Sequence, residues 1–167
     1  MGALQFTKMG FHVVATCLTD QGVESMKNKV AMVTKVDVTK QADIDRLVKE
    51  TTTYCSNKNV KVWTVWNNAG VSDGGALDWT DMKTYRFVFE VNVFGVIAVT
   101  KGFLPLLKAN KNSRIINLCS LAGFTSAPMM GAYNGSKHAV EGFAKSLRAE
   151  LKPWSINVCN INPGFMK

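Results

Sequence analysis

Apolar residues gather in this chain into short runs at 11–15, 30–36, 60–66, 114–118 and 156–161. Each run is brief, and 30–36 is largely β-branched, which reads as strands. The stretches between them follow another period. Residues 19–29 are polar and helix-compatible, and 41–54 place Ile44, Leu47 and Val48 at i, i+3 and i+4, the spacing of one helix face. A long apolar helix is expected from Thr80 and Asp81, both N-cap types, to about 108; another spans 132–151 with Val140, Phe143, Ala144 and Leu147 on one side. The first ten residues read as a short helix stopped at Gly10. Strands that are continuous apolar runs separated by helices belong to a parallel sheet covered on both faces. The expected fold is therefore α/β and doubly wound, one domain over 1–167.

Composition narrows the class. The chain has 167 residues, 47% hydrophobic and 19% charged, and its mean hydropathy is +0.02, which excludes disordered, collagenous and mini-protein chains. Glu90, Asn92 and Lys101 interrupt the longest apolar stretch, so no membrane span is expected. No targeting segment is evident at the N-terminus. Twenty Lys and Arg against 12 Asp and Glu give +8. That charge is spread along the chain, with no basic stripe interleaved with aromatics, so no nucleic-acid partner is expected; the field would favour an anionic cofactor. Cys17, Cys55, Cys119 and Cys159 lie far apart and read as free core thiols of a reducing compartment, with no metal site. Cytoplasmic or membrane-associated locations both fit that reading.

In doubly wound folds ligands bind beyond the carboxyl ends of the strands, so the residues just after each run matter most. The third run is followed by Asn67-Asn68-Ala69-Gly70, two amides and two small residues that allow close approach of a flat ligand. The fourth is followed by Ser120-Leu121-Ala122-Gly123, where Ser120 alone would be an ordinary cap. Tyr133 and Lys137, four apart in a helix, share a face. An ammonium beside a phenol favours the phenolate, which makes Tyr133 a candidate acid/base. Each signal is weak alone.

Their order is not weak. Asn67-Asn68-Ala69-Gly70, Asn92 within an apolar helix, Ser120 placed 13 residues before Tyr133, Lys137, and Pro163-Gly164 after the last strand occur in sequence. The chain thereby resembles the short-chain dehydrogenase/reductase family, with its Rossmann-like fold. The segments 15–19 and 103–107 resemble the branch of retinol, hydroxysteroid and hydroxybutyrate dehydrogenases. The resemblance implies Tyr133 as general acid/base, and Lys137 as its partner and a donor to the nicotinamide ribose. It implies Ser120 as a hydrogen-bond partner of the substrate oxygen, and Asn92 at a helix break with its carbonyl holding a relay water. Thr16, Asp37 with Val38 (Asp37 at the adenine edge), Asn68, Ala69, Gly70, Pro163 and Gly164 would lie along NAD or NADP. Thr16 and Cys17 offer neither a ribose-binding carboxylate nor an Arg for a 2′-phosphate, and the branch tilts the choice to NAD. The implied substrate is a lipophilic alcohol or ketone.

Departures from the family pattern are also legible. No Gly-rich turn precedes Gly10 and no substrate loop follows Pro163-Gly164, so a piece of a longer chain is expected, fragile by on the order of 10 kcal/mol for one absent central strand. Trp66 stands where a smaller aliphatic is usual. A non-catalytic binding module of the same fold is the alternative; an extended epimerase would need a larger C-terminal domain. Val88, Val93 and Ile97 exceed what one helix face needs against a sheet, so exposed apolar surface on helices 80–108 and 132–151, and a homo-oligomer through them, are expected. His12 and His138 read as structural.

Overall fold

A computed structural model describes residues 2–164, and the chain divides into two compact units, Met1–Lys58 and Asn59–Lys167. In the first unit, helix α1 (Gly2–Lys8) ends in a Schellman motif. Gly10 takes the left-handed conformation at φ 88, its N–H bonds the Thr7 carbonyl, and the Phe11 N–H bonds the Phe6 carbonyl. The Phe6 and Phe11 rings meet edge to face at 5.7 Å. Phe11 is therefore occupied in closing α1, and strand β1 is Val14–Cys17, beginning three residues after the apolar run does. β1 pairs in parallel with β2 (Met32–Lys35), Val14 opposite Met32 and Cys17 opposite Lys35. Between them lies α2 (Asp20–Met26), capped by the Thr19 hydroxyl, which accepts from the Gly22 N–H. Helix α3 (Gln41–Lys58) buries Ile44 and Leu47 as its spacing requires.

The second unit holds three parallel strands in the order β3 (Thr64–Asn67), β4 (Arg114–Leu118), β5 (Asn157–Ile161). Strand β3 starts later than the run at 60–66. Its register sets Asn67 opposite Asn117 and Asn117 opposite Asn160, and the three amides form a ladder across the sheet. Asn67 Nδ2 donates to Asn117 Oδ1 at 2.9 Å and to the buried Thr100 Oγ1 at 3.1 Å; Asn117 Nδ2 donates to Asn160 Oδ1 at 2.9 Å. Apolar neighbours Val65, Ile115 and Val158 fill the same sheet beside it. The two units together are α/β with parallel strands, as the pattern of runs predicts.

The long apolar helix is not continuous. Thr80 donates its hydroxyl to the Ala76 carbonyl and closes the preceding loop, leaving Asp81 at the N-cap of α4 (Met82–Phe89) without a side-chain cap bond. A π-helical turn, Glu90–Phe94, follows, and α5 (Gly95–Lys108) continues from it. A π turn holds more residues per turn and so rotates the face that follows it. The expectation for the exposed residues is corrected accordingly. Val88 and Val93 are buried, Ile97 is half-buried, and the large apolar side chains exposed along this stretch are Met82 at the start of α4 and, each about half exposed, Phe87 and Phe94. Residues Met82–Lys108 together are long and apolar enough to cross a bilayer by length and composition, a test that a buried core helix also passes. Here the stretch packs on β3, β4 and α6 (Gly131–Glu150) as a core element of its unit.

The thiols are all unpaired, but only Cys119 is buried, and Cys159 faces out from β5. A strand alternates its faces, so position within an apolar run does not bury every residue in it. Trp66 lies on the outer face of β3, 37% exposed, which is where a bulky ring fits without displacing the amide ladder.

Removing the middle rung tests the ladder. Asn117→Ala strips a donor from Asn160 and an acceptor from Asn67, and should cost about 1–3 kcal/mol for each stranded buried group. Urea unfolding should show a lower midpoint at unchanged slope; a midpoint equal to wild type would mean the amides contribute nothing.

Candidate functional site

The carboxyl ends of β3, β4 and β5 converge with the start of α6. Beyond β4, Ser120 is extended at φ −170 and its Oγ accepts from the Ala122 N–H at 3.1 Å, capping a tight turn, Leu121–Gly123. A hydroxyl used as acceptor keeps its own proton to donate. The turn is clamped from two sides. The Leu121 N–H bonds the Pro163 carbonyl at 3.1 Å, and a Cβ on Gly164 would come within 3.2 Å of the Leu121 side chain. On the other side, a Cβ on Gly123 would lie 2.9 Å from Glu141 Cγ and 3.1 Å from the Lys137 carbonyl. Only glycine lets this turn sit so close to α6.

Lys137 is 5% exposed. Its ammonium donates to the Leu118 carbonyl at 3.0 Å and lies 5.6 Å from the centre of the Tyr133 ring, one helical turn earlier. Burial lowers the pKa of this amine below the ordinary lysine range. The Lys137 carbonyl accepts from the Cys119 thiol at 3.3 Å, and burial pushes that thiol up to about 11, which leaves it protonated and inert. Tyr133 is half-buried.

Asn92 sits at the centre of the π turn, 1% exposed. Its Oδ1 accepts from the Val71 N–H at 2.8 Å, while Nδ2 donates to the Val71 carbonyl at 2.9 Å and to Ser136 Oγ at 2.9 Å. The helix break expected of Asn92 is therefore present. Its side chain fastens the segment after β3. Asn68, Ala69 and Gly70 in that segment are exposed. A Cβ on Gly70 would stand 3.4 Å from Asn92 Oδ1 and 3.6 Å from Lys137 Nζ, in the space just in front of the ammonium. Gly70, Asn92, Lys137, the Ser120 turn, Pro163 and Gly164 thus lie together in one unit, with the Tyr133 ring centre 5.6 Å from the Lys137 ammonium.

Thr16, Asp37 and Val38 lie in the other unit. Thr16 is exposed on β1 opposite Thr34. The Asp37 carboxylate accepts from the Thr39 hydroxyl at 2.7 Å and the Thr39 N–H at 3.0 Å. These bonds, the hydroxyl first, hold its pKa below the usual carboxylate value. The Asp37 N–H in turn donates to Asp43 Oδ2 at 2.9 Å, so the residue organises the entry to α3. Val38 is half-buried beside it.

The family model of the short chain dehydrogenases matches residues 2–167. The chain belongs to the short chain dehydrogenase family. It is 38% identical over 173 residues to the human Dehydrogenase/reductase SDR family member 9, covering 100% of this chain and 52% of that one. It is 35% identical to mouse Retinol dehydrogenase 16, covering 98% of this chain and 51% of the relative. Among solved structures, a short chain dehydrogenase/reductase from Burkholderia phymatum in complex with NAD superposes with a TM-score of 0.85 at 29% identity, over 99% of this chain and 61% of that one. The chain spans about half the length of the curated relatives it matches. Membership fits the retinol dehydrogenase side of the family that segments 15–19 and 103–107 resemble.

The desolvated Lys137 gives a signed prediction. Between its lowered folded pKa and the free-lysine value near 10.4 the unfolded chain binds more protons at this site, so stability rises with pH across that window. Wild type should gain stability relative to Lys137→Met as pH is raised from neutral toward about 10, read as the difference of their urea midpoints. A difference that stays flat or falls would show that the amine is not desolvated.

Proposed function

We propose that this chain carries the catalytic centre of an NAD(P)-dependent oxidoreductase that interconverts a lipophilic secondary or retinol-like alcohol and its carbonyl compound. The observation that carries this reading is the convergence of Tyr133, Lys137 and the Ser120 turn at the strand ends, with an exposed glycine in front of the ammonium. The residues fit a dinucleotide. Asn68, Ala69 and Gly70 present an open backbone edge, and a side chain at Gly70 would fill the approach to Lys137. When bound, the nicotinamide supplies the hydride acceptor or donor.

In this reading the chain's own groups handle the proton and the oxygen. The Tyr133 phenolate takes the hydroxyl proton of the alcohol in oxidation, and the phenol returns it in reduction. The Ser120 hydroxyl, its lone pair fixed by the Ala122 N–H, donates to the same oxygen as its charge changes. The Lys137 ammonium, held against the Leu118 carbonyl, supplies positive charge to the phenolate and hydrogen bonds toward the ribose. Relatives named for retinol favour a lipophilic substrate, and the solved relative in complex with NAD favours that nucleotide. The half-exposed rings of Phe87 and Phe94 support pairing of two copies through α4 and the π turn. Light scattering on the intact protein should show a dimer or larger, and Phe94→Glu should lower the mass; a monodisperse wild-type monomer overturns the pairing.

Tyr133→Phe keeps the ring and its packing but removes the proton acceptor. In the intact protein, turnover with lipophilic secondary alcohols should fall by ~10²- to 10⁴-fold, as for other lost general acid/base groups. Nucleotide affinity should change little. Near-wild-type turnover across several alcohols with both NAD and NADP would remove Tyr133 from the chemistry and favour a non-catalytic binding role for the fold.

A further inference from the structure

We infer that Ser136 is a positioning residue that ties the dinucleotide-side loop after β3 to the turn of α6 that bears Tyr133. This inference rests on the oxidoreductase reading of Tyr133. Ser136 is fully buried, and its hydroxyl is used in both directions: Oγ accepts from Asn92 Nδ2 at 2.9 Å and donates to the Tyr133 carbonyl at 2.7 Å. Asn92 in turn holds both backbone groups of Val71. The result is one directed chain of hydrogen bonds, from the Val71 N–H through the Asn92 amide and the Ser136 hydroxyl to the Tyr133 carbonyl.

The chain has a single consistent polarity. The Val71 N–H needs an acceptor, which orients Asn92 with Oδ1 toward it. One Nδ2 proton then meets the Val71 carbonyl and the other must find an acceptor away from the loop. A hydroxyl has one proton and two lone pairs, so Ser136 takes the amide proton and passes its own proton to the Tyr133 carbonyl. Alanine at 136 would strand a buried amide proton and release the carbonyl. The loop carrying Gly70 and the turn carrying Tyr133 would lose their direct polar connection, although the packing of α6 through Val140, Ala144 and Leu147 remains. Misplacing a reacting group by a fraction of an ångström acts on turnover before it acts on binding.

The test compares two buried positions of the same helix in the intact protein. Ser136→Ala should lower kcat by up to ~10²-fold, leave KM for the nucleotide nearly unchanged, and speed hydrogen exchange at the Val71 amide. Leu147→Ala, three turns on, should lower the thermal midpoint at least as much while leaving kcat and Val71 exchange as in wild type. Ser136→Cys, which keeps the shape and weakens both bonds, should fall between wild type and Ser136→Ala and serves if the alanine variant does not fold. Wild-type kcat and wild-type Val71 exchange in the serine variants would overturn the inference, as would an equal kcat loss in Leu147→Ala. A wild-type protein without turnover on any alcohol or ketone would instead overturn the oxidoreductase reading, and Val71 exchange alone would then decide the role of Ser136.

Discussion

A primary amide buried in the middle of an apolar helix has to find partners for two donors and an acceptor, because none can reach water. At Asn92 that requirement is met by the backbone of Val71 and the hydroxyl of Ser136, and much of the site follows from it. The loop after β3 cannot drift, since both of its polar groups at Val71 are engaged. Gly70, one residue earlier, is thereby fixed in front of the Lys137 ammonium. The π turn has a corresponding role, because the extra residue in that turn is what brings Asn92 inward while Phe94 points out.

The same logic explains how a lysine can be buried at the end of an apolar sheet. Desolvation opposes its charge, and what offsets it here is a strand-end carbonyl at Leu118. Parallel strands expose carbonyls at their carboxyl ends, so a cation placed there finds an acceptor that no other edge of the sheet offers so readily. Gly123 completes the arrangement, since its missing Cβ lets the Ser120 turn rest on the Lys137 carbonyl. Burial and charge oppose each other at this residue, a balance that buried lysines show wherever they are found.

Which parts of this were legible in the sequence follows from physical range. Local rules worked: Gly10 stops α1, the spacing of Ile44 and Leu47 sets the buried face of α3, and Ser120 caps a turn. The alternation of runs and helices gave the parallel α/β class, because burial on both faces leaves a signature within each strand. Errors came where a tertiary contact outweighs local pattern. Phe11 looks like the start of a strand until its N–H is seen closing α1. The spacing of apolar positions in residues 80–108 shows neither the π turn nor the burial of Val88 and Val93, and the break at Asn92 is implied only by the family resemblance. Ser136 lies at helical spacing from Val140, Ala144 and Leu147, and that periodicity was a readable sign that its hydroxyl faces inward.

The amide ladder shows why burial and polarity had to be read together. Asn67 attracts notice as the start of a loop motif, yet it is the last residue of β3 and its side chain reaches across the sheet, not toward the site. A strand residue points to one face only, so Asn67 inward requires Asn68 to be free of the core, and Asn68 is indeed exposed. The two adjacent amides therefore have opposite assignments: the first satisfies Asn117 and Thr100 inside the unit, and the second faces the open edge beside Ala69 and Gly70. A ladder of matched donors and acceptors also fixes register, since sliding β3 by one residue against β4 would set Trp66 against Asn117 and leave both the amide and the indole in the wrong environment. The register that keeps the ladder intact is the one that brings the ends of β3 and β4 level, so that Gly70 and the Leu118 carbonyl approach Lys137 from neighbouring strands.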